Sequence, residues 1–179
     1  MRELEVKILN MDLKELELKI QALGATLISR EIQVNTLIDS KDNFIQNELD
    51  SYMRIRETRF ILKDKVKLTL TMKKNINREN IRENIEINTD ISDKESMLKI
   101  LDTLGYKVIS EGYKERTSYE LGNARFDLDT WDKDTYPYPY MEIEVKHEDE
   151  LKEIIRLLDI PKENISLKSI VELKKEINI

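Results

Sequence analysis

Apolar and polar residues alternate with a period of two along eight stretches of the chain, near 2–9, 27–39, 51–61, 65–74, 81–89, 106–119, 122–131 and 140–146. Each predicts a β-strand. Helical spacing takes over at 12–23, where Leu13, Leu16, Ile20 and Leu23 share a face, and at 93–104, where Met97, Ile100, Leu101 and Leu104 do. Ser92 followed by Glu95 predicts a capping box for the second helix, and Gly24 and Gly105 are natural C-cap positions after Leu23 and Leu104. A third helix over 148–158 stops before Pro161, and a shorter one is expected over 167–177. With only four Gly and three Pro there is no linker, so one domain spans 1–179, with long elements and turns built from Asn, Asp and Ser.

The first strand and helix have an echo in mid-chain. An ungapped offset of 81 lays Leu23-Gly24 on Leu104-Gly105, Ile28-Ser29 on Ile109-Ser110, Asp12 on Asp93 and Glu5 on Glu86. Glu3-Leu4-Glu5-Val6-Lys7 recurs again as Glu142-Ile143-Glu144-Val145-Lys146, also before a helix. The pattern reads as a strand-then-helix unit used three times.

Side chains on a strand alternate between faces, and this parity sorts the charges. Glu3, Glu5 and Lys7 lie opposite Leu4, Val6 and Ile8; Arg54 and Arg56 lie opposite Met53 and Ile55. Thr69, Thr71 and Lys73 oppose Leu68, Leu70 and Met72, and Arg82, Asn84 and Glu86 oppose Ile81, Ile85 and Ile87. Lys114 and Arg116 share a face. Arg125, Asp127 and Asp129 oppose Phe126 and Leu128, and Glu142, Glu144 and Lys146 oppose Met141, Ile143 and Val145.

Composition narrows the chemistry. The chain carries 30 Lys and Arg against 36 Asp and Glu, a net charge of -6, and 40% apolar residues. A balanced charge with a sizeable core disfavours disorder, and disfavours a broad basic surface for nucleic acid or anionic membrane. Zero Cys and a single His, His147, exclude disulfides, thiol nucleophiles, His-rich zinc sites and nearly all His-based triads. No window reaches the apolar length of a membrane span or a signal peptide, so a cytoplasmic protein is expected. Chemistry must fall to carboxylates, Lys and Arg with a hard metal ion.

A charged face can simply be the wet side of an antiparallel sheet. Acidic pairs at both chain ends with basic pairs between them point further. Eight strands can close into a barrel, which turns the charged faces into a polar lumen and leaves the apolar faces to be covered by helices. The expected fold is therefore α+β: an eight-stranded antiparallel closed β-barrel flanked by helices. Its lumen would gather Lys7, Arg54, Arg56, Lys73, Arg82, Lys114, Arg116, Arg125 and Lys146, a cluster that needs an anion such as a polyphosphate. Glu3, Glu5, Glu142 and Glu144, converging there, would make an oxygen site for Mg2+ or Mn2+.

The ordered motifs resemble one family, the CYTH domain or triphosphate tunnel metalloenzymes, which includes class IV adenylyl cyclases, thiamine triphosphatases and inorganic triphosphatases. Glu3-Leu4-Glu5-Val6-Lys7 is similar to its ExExK signature, and Gln33-Val34-Asn35 with Asp39, then Arg54-Ile55-Arg56, to the stretch ending in RxR. Thr71-Met72-Lys73 resembles its TxK, Lys114-Glu115-Arg116 its KxR, and Asp129 with Glu142-Ile143-Glu144 its final Asp and ExE. The resemblance implies that Glu3, Glu5, Glu142 and Glu144 hold the metal, and that Lys7, Arg54, Arg56, Lys73, Lys114, Arg116 and Arg125 bind a triphosphate. Glu5, Lys7 and Asp129 are the candidate catalytic residues, with Glu86, Asp127 and Asp129 as lumen acids or a second metal site. Asn84 stands where a Glu is expected and Leu37 where an aromatic is usual, and Trp131 with Tyr136-Pro137-Tyr138-Pro139-Tyr140 is a cyclase-like variant.

The expected function is a divalent-metal-dependent triphosphatase acting on inorganic triphosphate, thiamine triphosphate or a nucleoside triphosphate. The rivals are a class IV-type adenylyl cyclase, making cyclic AMP and pyrophosphate from ATP, and a non-catalytic polyphosphate or nucleotide-binding module. The partner is then a small-molecule triphosphate, with neither nucleic acid nor membrane, and thinly covered apolar faces leave room for a homodimer. His147 reads as a solvent-facing helix start, Trp131 as packing under its loop, and the Tyr-Pro run as a rigid turn at a barrel mouth.

Overall fold

The computed structural model describes residues 2–77 and 81–177. In chain order the elements are β1 (Arg2–Ile8), α1 (Leu13–Ala22), β2 (Thr26–Ser40), α2 (Phe44–Asn47), β3 (Ser51–Phe60), β4 (Lys65–Asn77), β5 (Arg82–Asp90) and α3 (Lys94–Thr103). Then follow β6 (Tyr106–Leu121), β7 (Ala124–Trp131), β8 (Tyr140–Val145), α4 (Glu148–Leu157), a 3-10 turn (Lys162–Asn164), β9 (Ile165–Ser166) and α5 (Ile170–Glu176).

Eight antiparallel strands close in the order β1-β8-β7-β6-β2-β3-β4-β5 and back to β1. The closing seam is divided: Arg2 to Glu5 of β1 pair with β5, whereas Lys7 and Ile8 pair with the short β9. The sequence pattern missed β9 because two residues carry no periodicity, and it missed α2 for the same reason.

The helices end where local chemistry stops them. Asp12 caps α1, its Oδ1 accepting from the Lys14 and Glu15 amides at 2.7 and 3.1 Å. Asp93 caps α3 in the same way, accepting from the Ser96 amide at 2.6 Å, so the expected Ser92 cap is corrected by one residue. A carboxylate at the start of the helix satisfies an otherwise unpaired amide and complements the dipole. Gly24 and Gly105 follow the C-caps at φ +93° and +90°, conformations that a Cβ would strain. The offset of 81 thus survives in three dimensions: β1-α1-β2 and β5-α3-β6 share their caps, while β1 pairs antiparallel with β5 and β2 with β6.

Apolar residues gather outside the barrel. Val6, Ile8, Phe126, Met141, Ile143 and Val145 on the outer faces of β1, β7 and β8 pack on Leu16 and Ile20 of α1 and Leu151 and Ile154 of α4. Ile38 and Ile55 pack on Leu101 of α3 in a second cluster. These side chains are buried, and burial of each contributes on the order of 1.5–3 kcal/mol. The wall is thereby held from outside, which leaves the inner face free to be polar.

Candidate functional site

The inner face surrounds a cavity of about 820 Å³. Glu3, Glu5, Lys7, Arg54, Arg56, Lys73, Arg82, Glu86, Lys114, Arg116, Arg125, Asp127, Glu142 and Glu144 all line it, as strand parity predicts. Two expected members do not. Lys146 lies past the end of β8, is exposed, and donates to Asn123 Oδ1 at 3.3 Å. Asp129 is fully buried beneath the cavity wall, where Lys114 Nζ at 2.8 Å and Arg116 Nε at 2.6 Å cover it, so its place is to position those cations rather than to meet a ligand.

Register organises the walls. Lys7 faces Glu142 and Glu5 faces Glu144 across the β1–β8 ladder, and Glu144 in turn faces Arg125 on β7. In the ring order β3, with Arg54 and Arg56, is diametrically opposite β8. A wall of carboxylates therefore looks across the lumen at a wall of guanidinium groups.

The four predicted metal carboxylates do not converge on one empty point. Among the described residues no three acidic or His side chains are arranged to hold an ion. The physical reason is that the tunnel's own cations have claimed them. Lys73 Nζ stands 2.9 Å from both Glu3 Oε2 and Glu5 Oε2, Lys7 Nζ is 3.0 Å from Glu142 Oε1, and Arg116 is 2.8 Å from Glu142 Oε2. Burial opposes ionisation of Glu142, but Lys7, Arg116 and Lys114 more than offset it and hold the carboxyl well below its usual range. Glu5 is lowered likewise, with Lys73 and Lys7 overcoming its burial. Glu3 and Glu144 go the other way, and burial raises Glu3 despite Lys73. Burial and then repulsion from Glu3 push the Glu144 carboxyl up to about 7.

The basic wall has the converse imbalance. Burial, then the nearby Arg54 and Arg116, push Arg56 down to about 9, and burial with Arg116 pushes Lys114 down to about 7 although it bonds Asp129. Arg116 competes for that carboxylate and wins further support from Asp127, at 2.5 Å. Two donors on this wall are buried without a hydrogen-bond acceptor: Arg54 Nε and Asn35 Nδ2. Asn35 Oδ1 accepts from Arg56 Nε at 2.7 Å, which fixes the amide so that its NH2 is the spare group. An anion's oxygens supply what this wall lacks, and the carboxylate oxygens of Glu3, Glu5, Glu142 and Glu144 are the donor type that suits a hard divalent cation.

Neighbouring elements shape one mouth. Gly112 permits the β7–β8 loop to close on β6, since a Cβ there would lie 2.5 Å from Thr135 Oγ1 and 3.2 Å from the Trp131 ring. Trp131 Nε1 donates to Tyr140 Oη at 2.9 Å, and Tyr136 meets Tyr140 edge to face, so the Tyr-Pro run is a packed turn. Leu173 of α5 buries against Tyr136 and Tyr140, while Arg82 Nη1 lies 3.3 Å from the Leu167 carbonyl and 3.6 Å from Glu172 Oε2. Sequence reasoning missed the part played by Asn35, Gly112 and α5. Parity places Asn35 with Gln33 on the inner face, but only the Arg56 contact shows its amide to be spare. His147 is exposed at the start of α4, its amide donating to Glu150 at 3.3 Å.

A closed antiparallel barrel with opposed acidic and basic inner walls defines a polar-tunnel protein. The CYTH domain model matches residues 1–170, and the chain belongs to that family, whose members are triphosphatases or adenylyl cyclase-like enzymes and are in general metal-dependent. No curated protein is detectably similar in sequence. Among solved structures the chain is similar to the PH1819 protein of Pyrococcus horikoshii OT3, with 24% identity, a TM-score of 0.80 and coverage of 98% of this chain and 99% of that one. A candidate adenylate cyclase of Vibrio parahaemolyticus gives 15% identity, 0.73, and 97% of each chain. The adenylyl cyclase-like HpAC1 of Hippeastrum, described as having a dominant triphosphatase activity, gives 13%, 0.65, and 94% and 90%. At these identities the likeness is one of fold. No helix among the described residues is long and apolar enough to cross a membrane.

Proposed function

We propose that the protein is a divalent-metal-dependent triphosphatase that binds inorganic or organic triphosphates in its tunnel. The observation that carries this reading is the pair of buried, acceptor-less donors, Arg54 Nε and Asn35 Nδ2, on a crowded cationic wall opposite the carboxylates. Arg54, Arg56, Lys114 and Arg116 would grip the phosphates, with Lys7, Lys73 and Arg125 adding charge. Glu3, Glu5, Glu142 and Glu144 would hold Mg2+ or Mn2+, which supplies charge neutralisation and a Lewis acid for phosphoryl transfer. Asp127 and Asp129 keep Arg116 aimed inward, and burial strengthens every such interaction by excluding water.

Hydrolysis fits better than cyclisation. Of the tunnel aromatics, Trp131 has Lys114 over its ring at 5.0 Å, Tyr52 has Arg54 at 5.4 Å and Tyr140 has Lys7 at 5.9 Å, which leaves these rings engaged with cations rather than offered to a purine. The test is a panel of inorganic triphosphate, thiamine triphosphate and ATP with Mg2+ or Mn2+, scored for phosphate, pyrophosphate and cyclic AMP. Phosphate release that needs the metal and is lost in Glu142→Gln is the expected outcome. Cyclic AMP as the main product overturns it in favour of a cyclase, and tight binding without turnover in favour of a binding module.

A further inference from the structure

Lys73 occupies an unusual position for a phosphate-binding residue. It extends from β4 into the acidic wall, where its ammonium meets Glu3 and Glu5 at 2.9 Å each and Glu86 at 3.6 Å. These carboxylates of β1 and β5 are spaced around an ammonium rather than a metal ion, but their oxygens are the donors a hard divalent cation takes. Lys7 and Arg116 pair with Glu142, on the other side of the acidic wall. Arg116 is further locked by Asp127 and Asp129, and Arg82, 3.4 Å from Glu5 Oε1, is held by Asn84 Oδ1 at 3.2 Å, the Leu167 carbonyl and Glu172. Among the described residues Lys73 ion-pairs with carboxylates alone, and its four-carbon stem can turn toward the basic wall, since its register neighbour on β3 is Tyr52, two residues from Arg54.

We propose that Lys73 is an exchange residue. In the ligand-free protein its ammonium stands in for a divalent cation on Glu3 and Glu5. When those carboxylates are taken by metal, Lys73 is released to the triphosphate, and a triphosphate that draws Lys73 across frees the carboxylates in turn. Each ligand thus removes the other's competitor, and the two bind cooperatively. The inference rests on reading the tunnel as a metal and triphosphate site.

Metal-free protein titrated with Mn2+ alone, with no triphosphate, tests it by calorimetry or by the signal of free Mn2+. Lys73→Gln is expected to bind Mn2+ about fivefold or more tightly than the wild type, although a residue has been lost from the site. Lys73→Arg, which keeps a competing cation, and Arg56→Gln, which removes the same charge from the opposite wall, should stay near the wild-type value. Inorganic triphosphate without metal should bind Lys73→Gln more weakly. A thermal melt with and without Mn2+ covers loss of stability, because the metal must raise the Lys73→Gln midpoint more than the wild-type one. Unchanged or weaker Mn2+ binding in Lys73→Gln, or an equal gain in Arg56→Gln, overturns the exchange while leaving the functional reading intact. A wild type that binds neither Mn2+ nor triphosphate overturns the functional reading instead.

Discussion

Lys114 donates to Asp129 at 2.8 Å, with the ammonium 2% exposed and the carboxylate wholly buried. Asp129 also serves Arg116, so a single aspartate anchors two cations of the basic wall. Removing one partner of such a cluster costs about 3–5 kcal/mol because the other charge is left buried and unpaired. Asp129→Asn should therefore lower the thermal midpoint by roughly 10 °C, taking about 2–4 °C per kcal/mol for a domain of this size. Added triphosphate should restore part of the loss by supplying counter-charge. A variant that melts like the wild type would show the cluster to be solvated and the buried wall to be misdescribed.

Lys114 also gives binding a pH dependence. Burial and Arg116 hold it down to about 7, and a bound polyanion raises it again. At pH 8 the free ammonium is mostly deprotonated and the complex protonated, so triphosphate binding takes up about one proton, and affinity falls as pH rises above about 7. Calorimetry in two buffers of different ionisation enthalpy measures this uptake. It should be reduced in Lys114→Arg, whose side chain stays charged throughout; equal uptake in both proteins assigns the proton to another group.

Arg54 separates binding from stability. Its Nε has no acceptor, and the charge repels Arg56. Arg54→Gln is expected to melt at or slightly above the wild-type temperature, yet to weaken inorganic triphosphate binding about tenfold or more, from loss of a charge-assisted hydrogen bond worth about 1.5–3 kcal/mol. Unchanged affinity would mean that the inner wall is only a wet sheet face.

Gly112 is a packing requirement with a specific rescue. Gly112→Ala should destabilise by about 1–3 kcal/mol through the contact with Thr135. Thr135→Ala removes both atoms within 3.0 Å, so the double variant should recover most of the midpoint. Two additive losses would place the strain elsewhere, at the Trp131 ring.

The inward set was legible because strand parity is a local property: Glu3, Arg54, Lys73 and Glu142 need only their own neighbours to be assigned a face. Asp129 was assigned the right face and the wrong depth, since its coverage depends on two side chains from the adjacent strand. The mutual neutralisation of Lys73 with Glu3 and Glu5 depends on which strands become neighbours around the ring, and no periodicity encodes that. The α3 cap moved by one residue because Ser92 and Asp93 are both competent and the backbone chose between them. Apolar coverage was read correctly for β1, β7 and β8, while Ile85 and Ile87 on the outside of β5 remain 42% and 66% exposed.

The divided seam of β1 has a consequence for biogenesis. β1 is made before its partners: it pairs with β5, β8 and β9, the last of which lies near residue 166. Glu3 and Glu5 thus wait for a wall that is completed only by strands far along the chain. Such long sequence separations slow folding and leave a bare strand edge exposed while synthesis continues. The acidic wall is an assembly of the finished chain: a nascent polypeptide lacking β8 and β9 has the carboxylates of β1 without the neighbours that make them a site.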